Sequence, residues 1–134
     1  MIQISIWPLI AAAVSSVVIG YVWYHPRVFG SIWMRLNGIS PEMAERGAKR
    51  MHIYAAIGFC AFVVSAYIMR ELLRGLGFAS PADAACLGLA LWIGFAAPIL
   101  LGSVLWEHRP ITLYIINIGY WLVALVIMAV ILVI

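Results

Sequence analysis

Four stretches of this chain are each long and apolar enough to cross a bilayer, and this constrains the fold more than any other feature. They cover about residues 4–24, 51–73, 82–106 and 111–134. About 20 helical residues at ~1.5 Å each span the ~30 Å of hydrocarbon. Apolar residues make up 66% of the 134 and charged residues 10%, against roughly 45–50% and 25% in soluble domains. A compact chain this small buries about two-thirds of its unfolded surface, so the remaining apolar area needs lipid as its solvent. The expected fold is all-α: one domain over residues 1–134, a four-transmembrane-helix bundle with a short interfacial helix in the first loop. The first apolar run has no basic segment before it and is longer than a signal-peptide core, so it reads as a retained helix.

The cations set the topology. Arg27, Arg35, Arg46, Lys49, Arg50 and Arg109 fall in the first and third loops, and only Arg70 and Arg74 near the second. Six against two predicts that the first and third loops are cytoplasmic and both termini outside. The net charge of +3 is therefore a matter of topology, and nucleic acid is not expected as a partner. Trp23, Tyr24, Trp33, Tyr54, Trp106, Arg109 and Tyr114 gather at the same predicted face, where amphipathic rings and cations anchor at headgroup level, and Trp7 marks the opposite one.

In the first loop, Phe29, Ile32, Trp33 and Leu36 recur at helical spacing, which predicts a short helix lying in the headgroup layer over 27–36. Ser40 and Pro41, followed by Glu42 and Glu45 and then Arg46, Lys49 and Arg50, predict a second helix with acid at its start and base at its end. Ser80, Pro81 and Asp83 form a capping signature for the third span. The short third loop, 107–110, predicts an antiparallel hairpin of the last two spans.

Small residues recur every four positions in the first span (Ala12, Ser16, Gly20) and the third (Cys86, Ala90, Gly94, Pro98, Gly102). Such stripes let helix backbones approach where lipid gives no hydrophobic drive for association. They point first to packing within the bundle, and second to an oligomer seam or a narrow polar path. Pro98 is expected to kink the third span and release the carbonyl of Gly94. Asn117, roughly 10 Å deep in the last span, is placed to hydrogen-bond that freed backbone, with Tyr120 nearby. Cys60 and Cys86 lie inside apolar runs without paired spacing and read as small apolar residues.

His25, His52 and His108 all fall at predicted cytoplasmic helix ends, with Glu107 near them. Imidazole and carboxylate are ligands for transition metals and carriers for protons, but no local spacing puts two of them on one helix face. No phosphate loop, nucleophile elbow or cysteine metal motif occurs, and no cofactor is implied. A faint repeat relates WYHPR at the end of the first span to WEHRP at the end of the third, a pattern that parallel duplication of a helix hairpin produces.

The WYHPRVFGSIW stretch and the late LLGSVLWEHRPITLYIINIGYWLV segment resemble a family of small bacterial membrane proteins known as domain of unknown function 1761. The resemblance rests most on Trp23, Tyr24, Phe29, Gly30 and Trp33, on Glu107, Arg109 and Pro110, and on Asn117, Gly119 and Tyr120. It implies a four-helix multi-pass protein of the bacterial cytoplasmic membrane and supplies no reaction. Three functions are compatible with the chain. The first is a non-enzymatic protein acting by association, as a homo-oligomer or as a subunit of a larger membrane complex. The second is a transporter or binder of a small or lipid-like molecule in a cavity near Gly94, Pro98, Gly102, Asn117 and Tyr120. The third is a metal-dependent enzyme using the histidines and Glu107.

Overall fold

The computed structural model describes residues 5–134; the expected start of the first span, residue 4, lies outside them. Among the described residues every regular element is helical. Helix α1 (Trp7–Trp23) is followed by a π-helical turn (Pro26–Gly30), α2 (Ser31–Leu36), α3 (Pro41–Ala48) and α4 (Met51–Leu76). Then come α5 (Pro81–Leu91), a second π-helical turn (Trp92–Ala96), α6 (Ala97–Leu105) and α7 (Ile111–Ile131). Three rods are each long and apolar enough to cross a membrane: Met51–Leu76, Pro81–Leu105 and Ile111–Ile131. A fourth is reached if Trp7–Trp23 and Pro26–Leu36, bent by 43° at their junction, count as one.

Local chemistry explains the boundaries. Ser40 Oγ accepts from the backbone N–H of Met43 at 3.2 Å with Pro41 in the first turn of α3. Ser80 Oγ accepts from Asp83 N–H at 3.1 Å and donates to Asp83 Oδ2 at 2.7 Å, starting α5. Helix α4 stops at Gly77, whose φ of 71° takes the chain into the left-handed region. There Phe78 N–H reaches back to Leu73 O at 2.9 Å.

The junction of α1 and α2 has its own logic. Gly30 N–H bonds His25 O at 3.0 Å, a π-type step. A Cβ on Gly30 would collide with the Tyr24 carbonyl, so the turn closes only with glycine. Phe29 comes to rest 4.8 Å from Trp23 and Trp33 5.7 Å from Tyr24, ring centre to ring centre. Two rings of the expected lipid-facing stripe thus cover the aromatic end of α1.

The most extensively packed helix is α7, which lies between α1 and α5, while α4 packs mainly on α1. The main cluster of the core gathers at one end of this arrangement, from Leu9, Ala12, Ala66, Met69, Leu73, Ala84, Leu87, Met128 and Ala129, and Leu113, Ile116, Tyr120 and Ala124 are buried along the rest of α7. Gly88 sets the spacing of α5 against α7, since a Cβ there would lie 2.8 Å from Val126 Cα and 2.9 Å from Leu125 O. At this same end Arg70 donates to Ser5 O at 3.1 Å, and Glu71 lies 3.8 Å from Arg70 and 3.7 Å from Arg74.

Pro98 does not break the third rod. The π-helical turn just before it, with Ala97 N–H bonded to Trp92 O, shifts the hydrogen-bond register ahead of the proline. The helix continues as one rod from Pro81 to Leu105.

Candidate functional site

At the end away from the main core cluster, α7 is held by hydrogen bonds from indoles and phenols. Trp23 donates from Nε1 to Ile116 O at 2.9 Å, and Trp92, from the third rod, to Ile118 O at 2.7 Å. Each carbonyl can take a second donor because it has two lone pairs, and an indole N–H removed from water needs such a partner. Gly119 makes the Trp23 contact possible: a Cβ there would sit 2.8 Å from Trp23 Cζ2.

The next layer is phenolic. Tyr24 donates to Asn117 Oδ1 at 2.8 Å, and Tyr120 to Ser16 O at 2.9 Å. The rings of Tyr24 and Tyr120 are 5.6 Å apart and those of Tyr120 and Trp121 5.1 Å. Asn117 therefore bonds α1, where the sequence pointed to the backbone beside Pro98. Tyr114 bonds the third rod instead, donating to the carbonyl of Ala97 at 2.8 Å, where the expected partner is the carbonyl of Gly94.

A cleft opens beside this layer. The fully buried residues of α4 are Ala66, Met69 and Leu73, all in its second half; Met51 and Tyr54, in its first turn, are exposed. Between the first half of α4 and the pair α1 and α7 lies a hollow of about 320 Å³ reached by Ser16, Gly20, Tyr24, Tyr54 and Tyr120. A second, of about 550 Å³, adjoins it under α2 and α3 and is reached by Trp33, Met43 and Asn117. Both share Tyr24, Met51 and Tyr54. The walls are mostly apolar, with polar points from Tyr24, Tyr54, Tyr120, Ser16, Trp33 and Asn117.

Of the residues expected to line a cavity, Asn117 and Tyr120 reach these hollows. Gly94 and Pro98 are exposed. A Cβ on Gly94 would meet nothing within 4 Å, and one on Gly102 only Trp106 Cδ1 at 3.6 Å. By contrast Ala12 and Ser16, the small residues of α1, are fully buried. His25, His52, His108 and Glu107 are all exposed, and His25 Nδ1 accepts from Arg27 N–H at 3.1 Å. Among the described residues no group of three or more His, Cys, Asp or Glu side chains is placed to hold a metal ion. Trp106 projects outward, 81% exposed. Arg109 ties the third loop to the first by donating to Asn37 Oδ1, while Asn37 donates to Trp33 O at 2.9 Å. Asn37 carried no signal in the sequence beyond a position after a short helix, and Trp92 none beyond its size.

Long helices with apolar side chains such as Ile57, Val64, Phe95, Ile99 and Ile115 exposed, and with polar side chains bonded between them, fit an integral membrane protein. The chain matches, over residues 7–133, the family described as Protein of unknown function (DUF1761), and it belongs to that family. No curated protein and no solved structure matches it.

Proposed function

We propose that this protein crosses the bacterial cytoplasmic membrane four times, with both termini outside, and holds a lipid-like molecule in the cleft between α1, α4 and α7. The observation that carries this is the pair of adjoining hollows sharing Tyr24, Met51 and Tyr54, apolar along the walls and polar at Tyr24, Asn117 and Tyr120. An amphiphile has the matching distribution, and pockets of some hundreds of Å³ with a few placed polar groups are the usual form of a ligand site. The six cations of the first and third loops orient the open end of the cleft toward the cytoplasm.

The test is photolabelling in native membranes with a fatty-acyl diazirine, followed by mapping of the labelled residues. Labels are expected on Met51, Tyr54 and Tyr24, and the Ala55→Trp variant, whose new ring fills the smaller hollow, should lose them. Labels spread evenly over the outward apolar faces, and unchanged in Ala55→Trp, would sink the reading.

One observation favours a second reading, association through the third rod. Cys86, Ala90, Gly94 and Pro98 form an outward face there, whereas the comparable stripe of α1 is used up inside. Cys86 gives a direct test in a Cys60→Ser background: oxidation in native membranes should join two copies through Cys86 if that face meets its own copy. An unjoined chain would leave the cleft alone.

A further inference from the structure

Resting on the reading of the cleft as a lipid site, we propose that its occupant is an anionic phospholipid whose phosphate is held by Arg46, Lys49 and Arg50 at the cleft mouth. A third hollow, about 560 Å³, lies at the end of α3 and is reached by Met43, Arg46, Gly47, Lys49, Arg50 and Tyr54. It shares Met43, Gly47 and Tyr54 with the hollow beneath it, which in turn shares Tyr24, Met51 and Tyr54 with the deepest one. The three form a graded series: tyrosines and aliphatic side chains deepest, methionines and an amide in the middle, three cations at the mouth. A phospholipid carries the complementary gradient from acyl chain to glycerol ester to phosphate.

The cations are free to take an anion. The side-chain ion pairs among the described residues are Arg70 with Glu71 and Arg74 with Glu71, at the other end of the molecule, so none of the three mouth cations is matched by a carboxylate. Glu42 and Glu45 stand on the same helix, yet neither reaches the hollow. The turn from α3 into α4 sets the three cations within five residues. Arginine offers a planar fork to phosphate oxygens and lysine a mobile point charge. Gly47 leaves space between them, since a Cβ there would meet nothing within 4 Å. A basic pocket beside membrane helices on the cytoplasmic side is the general form of an anionic headgroup site.

The experiment is native mass spectrometry of the full chain released from nanodiscs made of equal parts phosphatidylglycerol and phosphatidylcholine. Wild type should keep phosphatidylglycerol in preference to phosphatidylcholine. Arg46→Gln, Lys49→Gln and Arg50→Gln should each weaken that preference by about fivefold, and the triple variant should keep lipid without preference. Arg27→Gln with Arg35→Gln, which removes loop cations outside the mouth, should keep the preference. Should the triple variant fail to accumulate, the single variants decide. Retained lipid with no headgroup preference in wild type, or a preference equally lost in the Arg27/Arg35 variant, overturns the anionic assignment and leaves the lipid site standing. If wild type retains no lipid at all, the underlying reading of the cleft fails.

Discussion

The two ends of this helix set are held together by different physics. At one end Ala12, Ala66, Ala84 and Ala129 are fully buried, and Gly88 brings the α5 backbone against that of α7. Helices α1, α4, α5 and α7 meet there through dispersion and close fit. At the other end the helices meet through large rings whose N–H and O–H groups reach across: Trp23, Trp92, Tyr24 and Tyr120 onto α7 or α1. Here α4 diverges, and the cleft is what that divergence leaves. The hollow at the closely fitted end, about 320 Å³ beside Val64, Ile68, Met69, Leu91 and Met128, is walled almost entirely by aliphatic side chains; rings joined by single hydrogen bonds leave hollows with polar points in them.

Substitutions can break or sharpen this contrast. The largest effect is expected from Gly88→Val, which forces atoms into the α7 backbone and should cost about 3 kcal/mol, measured by reversible unfolding in mixed detergent. Gly119→Ala meets a ring that can move, so it should cost about 1–2 kcal/mol through displacement of Trp23 and loss of its bond to Ile116 O, with a shift in tryptophan emission. If Gly119→Ala cost more than Gly88→Val, the tightly packed end would not be the one that carries stability. Smaller still, Tyr24→Phe and Asn117→Leu should each cost about 0.6 kcal/mol and be non-additive in a double-mutant cycle. Additive losses would show that the Tyr24–Asn117 bond contributes nothing. Gly94→Ala, facing open space, should be neutral or slightly stabilising through helix propensity, by less than about 1 kcal/mol; any loss of association would instead mark that face as a seam.

Much of the helical layout could be read in advance because hydropathy averages over twenty residues and needs no knowledge of direction. The caps at Ser40 and Ser80 were equally readable, being local hydrogen bonds set by neighbours. Which face of each rod points inward was not. Helices apolar on every side carry no periodic signal to separate a buried stripe from an exposed one, and so the stripes of α1 and of the third rod looked alike. The histidines share a level in the sequence with no spacing to set their azimuth, and all three are exposed. Pro98 pointed to a kink, and a proline alone gives no sign that a π-helical turn ending two residues before it shifts the hydrogen-bond register there. Asn117 was recognisable as a polar residue to be satisfied, while its partner, Tyr24, lies 93 positions away.

The sequence by itself determined the apolar rods, the side on which their cations gather and the family to which the chain belongs, because solvation energy and local capping are additive along the chain. Only the tertiary structure decided that α7 is central, that its carbonyls are clamped by two indoles and that α4 parts from its neighbours beside Tyr24 and Tyr120. Those outcomes depend on pairwise fit between surfaces, which no single stretch of residues contains.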